Sequence, residues 1–159
     1  MPPPSSSERT ARGYDYPSNT QFSVFLENRV GKLAELIEIL DGKSLQVVAL
    51  SIAEASDYGV VRLVTTDGNR ARELLRATHC PYAESEILAV ELSPHQSLTT
   101  LCRCLLSAEL SIHYAYPLMV RPHGAATIAI HTDDQVLASQ ILQRKKFCLL
   151  GESDLSSDF

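Results

Sequence analysis

The spacing of apolar residues predicts alternating strands and helices along the chain. Residues 21–26 alternate and are rich in aromatic and β-branched side chains, as is typical of a strand. Residues 32–40 place apolar side chains at i, i+3, i+4 and i+7 from Leu33, which predicts a helix with one apolar stripe. Gly42 follows the last of these positions, where glycine commonly ends a helix. A strand, a short loop and an amphipathic helix therefore open the periodic part of the chain.

The same spacing rules predict the remaining elements. Strands are expected at 45–53, 60–66, 82–92, 110–118, 125–131 and 148–150, and helices at 68–78, 98–106 and 135–144. Asp67 is expected to cap the second helix, and Pro81 ends it because proline disfavours helical geometry in the preceding residue. Each half of the chain then has the order β-α-β-β-α-β. This order predicts an α+β protein of two ferredoxin-like units in tandem, with antiparallel sheets that carry helices on one face.

The apolar pattern repeats itself after about 65 residues. The helix positions Leu33, Leu36, Ile37 and Leu40 recur as Leu98, Leu101, Cys102 and Leu105. A unit of that length buries only ~60% of its unfolded surface and is marginally stable alone, so we expect it to pack against its twin. We place the first unit at 20–86 and the second at 87–156. Residues 1–19 are polar, lack periodicity and are expected to form a flexible tail.

Composition narrows the class of protein. Hydrophobic residues make up 45% of the chain, which suits a globular protein. The net charge is −5 without a basic stripe, which argues against nucleic-acid binding because phosphate contacts require clustered Lys and Arg. The sequence shows no signal peptide, no membrane-length apolar run and no CxxC pair. We therefore expect a cytoplasmic protein that binds no membrane.

The loop 28–33 carries candidate binding chemistry. It precedes a helix, whose first turn exposes backbone N–H groups and favours anions. Gly31 permits unusual dihedral angles and the close approach of a ligand. A small carboxylate on the N–H groups of residues 30–33 fits this chemistry, and Asn28 could add a side-chain contact. The alternative is that Asn28 only caps the helix and Gly31 only forms a turn.

The sequence around this loop resembles a known family. The stretch FSVFLENRVGKLAELIEILDGKSLQVVALSIAEASDYGVVRLVTTD resembles an ACT domain, the small regulatory module that binds amino acids. The motif N-R-x-G-x-L-A-x-L, the strand pair ALSIAEASDYGVVRL and the weaker second copy are similar to stand-alone tandem ACT proteins of the acetolactate-synthase-regulatory type. The resemblance extends over about residues 20–156. It implies a non-catalytic sensor or regulatory protein that binds an amino acid where two ACT units meet.

The resemblance also implies which residues bind the ligand. Carried over to this chain, the family site comprises Asn28, Arg29, Val30, Gly31, Lys32, Leu33, Ser51, Ile52, His113, Tyr114 and Tyr116. The second copy departs from the pattern, because Gln96 stands where the first has Gly31 and Ser93 where it has Asn28. We hypothesise that the second loop binds ligand poorly and that its unit supplies a wall of the first site. For His113 and the two tyrosines, ordinary packing is the alternative.

Catalysis and metal binding have no support in the sequence. No nucleophile elbow, P-loop, HExxH or paired-carboxylate motif is present, so we expect no enzyme activity, no catalytic residues and no cofactor. Cys102 and Cys104 lie two apart on a predicted helix, where side chains diverge. They are expected to be buried thiols rather than metal ligands. His79 and Cys80 lack further zinc ligands nearby, so no metal site is expected.

A protein without catalytic activity can exert a regulatory effect only by binding a partner or by self-association. Exposed edge strands favour pairing, so a homodimer is expected. A catalytic enzyme is the second expected partner, with this chain as the regulatory subunit of an amino-acid biosynthetic enzyme such as acetolactate synthase. A small enzyme that uses the ferredoxin-like scaffold and a ligand-free assembly module are the remaining alternatives.

Overall fold

The chain divides into two compact units, which together cover the described residues. The computed structural model describes residues 16–27, 29–42, 44–54 and 57–156. The first unit is Thr20–Ser85. The second unit begins at Glu86 and also includes the segment that ends at Asn19. The second unit is therefore assembled from two separate stretches of sequence.

The segment expected to be a tail, 1–19, is only partly described. Residues 1–15 lie outside the described residues. Tyr16, Ser18 and Asn19 are each at most 5% exposed. Tyr16 packs in the apolar core of the second unit, and the Asn19 side-chain amide donates to the Leu150 carbonyl oxygen at 2.9 Å. Residues 16–19 are thus an integral part of the second unit.

The first unit is built from four strands and two helices. Its elements are β1 (Asn19–Glu27), α1 (Lys32–Leu40), β2 (Val47–Glu54), β3 (Tyr58–Thr65), α2 (Gly68–Thr78) and the first part of β4 (Tyr82–Glu91). The strand order is β2-β3-β1-β4. Strand β3 pairs antiparallel with both β1 and β2. This is the ferredoxin-like order that the sequence predicts.

The second unit repeats this arrangement. It continues β4 and adds α3 (Leu98–Ser107), β5 (Ile112–Pro117), β6 (Thr127–Thr132), α4 (Gln135–Arg144), β7 (Cys148–Leu150) and α5 (Glu152–Leu155). Strand β4 pairs antiparallel with β6 and β7, and β5 pairs antiparallel with β6. The predicted α+β class and the repeated βαββαβ order are confirmed. The short helix α5 has no counterpart in the prediction.

Each unit has its own apolar core between its sheet and its helices. In the first unit, Phe22 and Val24 alternate along β1 and face α1, where Leu36 and Leu40 lie one turn apart. All four side chains are at most 1% exposed. This burial follows from the two periods in the sequence, two for the strand and about 3.6 for the helix.

The second core follows the same rules. Leu88 and Val90 alternate along β4, and they pack with Ile130 of β6, Leu105 of α3 and Leu142 of α4. These five side chains are also at most 1% exposed. Side chains at odd positions of β4 therefore point to the opposite face of the sheet, away from α3 and α4.

The helix α2 begins at the capping residue that the sequence predicts. The Asp67 carboxylate accepts a hydrogen bond from the Arg70 backbone N–H at 3.1 Å, which confirms the predicted cap of α2.

Strands β2 and β5 begin two residues later than predicted. In the case of β5, Leu110 N–H donates to the Leu105 carbonyl oxygen at 3.1 Å, and Glu109 has a φ of 58°. These residues still close the end of α3, so they cannot join the ladder.

An ion pair between α2 and β4 gives a pH-dependent prediction. Arg72 donates to both carboxylate oxygens of Glu84, and it holds the pKa of that carboxyl below its usual value of 4.5. A carboxyl with a lowered folded-state pKa stabilises the fold above its unfolded pKa and loses that effect as pH falls. Glu84→Gln should therefore reduce stability by about 0.5–1 kcal/mol at pH 7, and by much less near pH 3.

Urea unfolding at the two pH values measures this difference. Glu73→Gln is the matched control, because Glu73 pairs with Arg70 on the same helix through a more exposed contact at 3.1 Å. An equal loss for Glu84→Gln at both pH values would show that the carboxylate charge is not the cause.

Candidate functional site

The bend between β1 and α1, residues 29–33, is held open by a left-handed glycine. Gly31 has φ 90° and ψ −14°, and it is the N-cap residue of α1 without a side-chain capping bond. A Cβ atom built at Gly31 would meet nothing within 4 Å. The backbone conformation, rather than crowding, therefore requires glycine here. The open space beside Gly31 lets a ligand approach the main chain.

Several N–H groups of this bend have no backbone acceptor among the described residues. Lys32 N–H donates to the Arg29 carbonyl oxygen at 3.3 Å, and Glu35 N–H donates to that of Gly31 at 3.0 Å. Within the described residues, the N–H groups of Gly31, Leu33 and Ala34 have no backbone acceptor. Such groups at the start of a helix are donors for an anion.

Charges of both signs surround the bend. Arg29 pairs with Glu27 at 2.9 Å, and Lys32 pairs with Glu35 at 3.4 Å. The carboxylates of both pairs are more than 60% exposed, and such surface pairs contribute about 0–1 kcal/mol each. The four side chains are therefore free to reorient toward the carboxylate and the ammonium group of a small ligand.

The other predicted site residues of the first unit do not all lie at the bend. Val30 is fully exposed, whereas Leu33 is half-buried against the core of the first unit and anchors the start of α1. Asn28 lies outside the described residues. Ser51 and Ile52 lie on β2, at the edge of the strand order, with β3 between β2 and β1. Two strand spacings of about 4.8 Å separate them from β1, so this unit does not bring them to its own bend.

The predicted residues of the second unit form an aromatic group on β5. Tyr116 is buried and Tyr114 is half-buried, whereas His113 is exposed. The rings of Tyr114 and His131 stack with centroids 5.0 Å apart, and His113 lies 5.4 Å from His131. His131 was missed by the sequence prediction. Its position opposite Tyr114 depends on the register of β5 with β6, which the apolar pattern does not define.

The loop of the second unit that corresponds to the bend is closed by a side chain. The Gln96 amide oxygen accepts from the Ser93 N–H at 3.0 Å, and its amide nitrogen donates to the Lys146 carbonyl oxygen at 3.1 Å. The Ser97 hydroxyl caps α3 by accepting from Thr100 N–H at 3.2 Å. The Gln96 N–H, the counterpart of the Gly31 N–H, donates to the Ser93 carbonyl oxygen at 2.8 Å. This geometry supports the hypothesis that the second loop binds ligand poorly.

An open cleft of about 450 Å³ lies beside that second loop. Its lining includes the cations Arg103 and Lys145 together with His95 and Gln96. Burial raises the pKa of the Cys104 thiol at its base, although Lys145 acts in the opposite direction. Cys104 is buried, as predicted, but Cys102 is exposed, so the prediction of a buried thiol is wrong for Cys102. The two side chains diverge because they are two residues apart on α3.

Three potential metal ligands of the second unit come together on the face of the sheet opposite α3 and α4. Glu91, His123 and Cys148 each have a ligand atom within 4.8 Å of the others. His123 Nδ1 lies 2.8 Å from Glu91 Oε1. Burial raises the pKa of the Cys148 thiol, and the nearby carboxylates of Glu91 and Asp154 add to this effect. The sequence prediction missed this cluster because its members come from two strands and a loop.

The fold defines a class of protein, a tandem of two ferredoxin-like units. No helix among the described residues is long and apolar enough to cross a bilayer. The chain belongs to the family described as ACT domain pair, whose model matches residues 18–158. The predicted resemblance to tandem ACT proteins is therefore confirmed.

Several solved structures are similar to this chain, including the following two. Protein BT0572 from Bacteroides thetaiotaomicron is 28% identical, with a TM-score of 0.75, over 87% of this chain and 95% of that protein. The regulatory subunit of aspartate kinase from Thermus thermophilus, in its ligand-free form, is 10% identical, with a TM-score of 0.53, over 82% and 93% of the respective chains. At 10% identity the likeness shows the fold alone. A comparison with curated proteins gave no match.

Proposed function

We propose that this chain is a non-catalytic regulatory protein that binds an amino acid at the 29–33 bend of its first unit. Its membership of the ACT domain pair family supports a regulatory, ligand-sensing role. The choice of an amino acid as ligand, and of the bend as its site, rests on the local chemistry of that bend.

The observation that carries the proposal is the open, left-handed Gly31 at the start of α1. A ligand carboxylate would accept hydrogen bonds from the N–H groups that follow Gly31, where the helix dipole also favours negative charge. Arg29 and Lys32 add positive charge on the same side. The carboxylates of Glu27 and Glu35 are available for an ammonium group. A zwitterionic ligand matches this pattern better than a simple anion does.

The other predicted ligand contacts remain part of the proposal. Because Ser51 and Ile52 lie away from the bend of their own unit, they are proposed to line the amino-acid site from a second copy of the chain. His113, Tyr114 and Tyr116 are proposed to line the rest of the site. The exposed imidazole of His113 is the side chain of this set that substitution tests most cleanly, because it can be removed without opening a core.

A thermal-shift screen of the twenty amino acids tests the proposal. A ligand that binds only the folded state raises the melting temperature in a concentration-dependent manner. At least one amino acid should do so, and Gly31→Val should abolish the increase, because a β-branched residue is strained at φ 90° and covers the N–H groups. Gly42→Val is the matched control, since Gly42 has φ 83° and equally open surroundings in the same unit.

Both glycine substitutions should lower the melting temperature of the free protein by a similar amount, at a cost of about 1–2 kcal/mol each. Only Gly31→Val should remove the response to ligand. If Gly42→Val removes it equally, general destabilisation explains the result. If no amino acid shifts the transition of the wild-type chain, the proposed ligand class is wrong.

We propose that the protein exerts its regulatory effect by associating with another chain. Phe25, Ile52 and Tyr58 of the first unit are 39–55% exposed, and the Phe25 and Tyr58 rings form an edge contact at 6.3 Å. Exposed apolar groups of this kind favour a homodimer or an enzyme partner. Light scattering distinguishes dimer from monomer, and co-purification with a large catalytic subunit would favour the role of a regulatory subunit over that of an assembly module.

A further inference from the structure

We propose that Glu91, His123 and Cys148 form a binding site for a divalent cation with an affinity for thiols, and that Zn²⁺ fits it best. Each residue offers one ligand atom, and these atoms all lie within 4.8 Å of one another. All three residues belong to the second unit. The proposal is therefore independent of the amino-acid site proposed for the first unit.

Two of the three ligands are fixed by the strand register. Glu91 of β4 and Cys148 of β7 are direct partners in an antiparallel pair. Their neighbours Val90 and Leu149 point into the core of the second unit, so Glu91 and Cys148 share the opposite face. Directly opposed residues of an antiparallel pair have Cβ atoms about 5 Å apart, which allows both side chains to reach one ion.

The third ligand comes from the connection between β5 and β6. The Gly124 N–H donates to the Arg121 carbonyl oxygen at 2.9 Å and closes a turn around His123. The Leu92 N–H donates to the Ala126 carbonyl oxygen at 2.8 Å and holds this connection against the end of β4. The turn thereby presents the imidazole of His123 to Glu91, with Nδ1 and Oε1 at 2.8 Å.

The ligand set selects the ion. A thiolate, an imidazole and a carboxylate are the three groups that Zn²⁺ uses in proteins, with bond lengths of about 2.3, 2.0 and 2.1 Å. Tetrahedral geometry with these bonds needs ligand atoms about 3.3–3.6 Å apart. The Cys148 sulfur must therefore approach the other ligands by up to roughly 1 Å, whereas His123 Nδ1 and Glu91 Oε1, at 2.8 Å, must separate slightly. The side chains of Cys148 and His123 are exposed and have room to rotate. Mg²⁺, which prefers oxygen ligands alone, does not fit this set.

Charge balance also favours a doubly charged cation. The Cys148 thiolate and the Glu91 carboxylate together supply two negative charges, and the thiol proton passes to solvent when the ion binds. Three protein ligands leave the fourth tetrahedral position open for water or for a ligand atom from elsewhere. The ion would join the end of β4, the β5–β6 connection and the start of β7.

The experiment uses the full, tag-free chain, treated with a chelator and kept reduced. Equilibrium dialysis against Zn²⁺ should give one ion per chain. Co²⁺, as a spectroscopic probe, should give a thiolate-to-cobalt charge-transfer band and the strong visible absorption of a tetrahedral site. Cys148→Ser should remove the charge-transfer band, and His123→Gln should weaken binding at least tenfold. Cys102→Ser is the matched control, because Cys102 is another exposed thiol, on α3.

The outcomes decide the proposal in either direction. One ion per chain that depends on Cys148 and His123, but not on Cys102, supports it. Absence of saturable Zn²⁺ binding, a Co²⁺ spectrum without the thiolate band, or equal loss in Cys102→Ser would overturn it. The free variants should have the melting temperature of the wild-type chain, since the exposed side chains of Cys148 and His123 do not form the core.

Discussion

Leu105→Ala is expected to reduce the free energy of unfolding by about 2–5 kcal/mol, whereas Leu106→Ala changes it by less than about 0.5 kcal/mol. The two leucines are neighbours on α3, yet Leu105 is 1% exposed and Leu106 is 71% exposed. Truncation of Leu105 removes buried methyl groups and leaves a cavity among Leu88, Ile130 and Leu142. Truncation of Leu106 removes side-chain atoms that already contact water.

Chemical unfolding followed by circular dichroism measures both variants. The two leucines are adjacent on α3, and replacing leucine by alanine changes the helix propensity by the same small amount at either position. Burial is then the difference that remains. Similar values for the two variants would mean that α3 does not pack on the sheet as described.

Tyr16→Ala is expected to cost about 3–5 kcal/mol, a value typical of the removal of a buried aromatic ring. Tyr16 is 5% exposed and belongs to the core of the second unit. Burial and a hydrogen bond from its hydroxyl group to the Glu86 carboxylate both raise the pKa of Tyr16 above its usual range. Tyr16→Phe keeps the ring and loses only this bond, so a smaller loss of about 1–2 kcal/mol is expected.

Two truncations provide the control for Tyr16. Compared with the chain that lacks residues 1–15, the chain that lacks residues 1–19 should have a melting temperature that is lower by at least the effect of Tyr16→Ala. The larger truncation also removes Asn19, whose amide binds the Leu150 carbonyl group. Unchanged stability after removal of residues 1–19 would show that this segment does not hold the second unit together.

The sequence predicts the elements of this fold well where local rules apply. The predicted bounds of α1, α4 and β7 coincide with the observed ones, because the apolar period and the residues at their ends act over a few positions. The segment around Tyr16 was predicted to be part of a flexible tail, because its burial does not follow from local rules. It has no period of its own, and a single aromatic side chain in a long-range contact leaves no pattern in its neighbourhood.

In the candidate sites too, local features could be predicted from the sequence, and features that depend on long-range contacts could not. The left-handed Gly31 could be predicted, because a glycine between a strand and a helix is a local signal. The cross-strand position of Glu91 and Cys148 could not, because it depends on the register between distant strands. The closure of the second loop depends on Gln96 reaching Lys146, fifty positions away. Long-range contacts of side chains thus limit what one sequence reveals.

The discontinuous second unit has a consequence for the order of folding during synthesis. Residues 16–19 leave the ribosome before the first unit, but their partners from Glu86 onward emerge only after it. Closing so long a loop in an unstructured chain carries an entropic cost. The folded first unit removes much of it, since the Gln21 side-chain amide donates to the Ser85 hydroxyl at 3.0 Å and holds its two ends together. The folded first unit thereby shortens the loop that must close when the second unit folds.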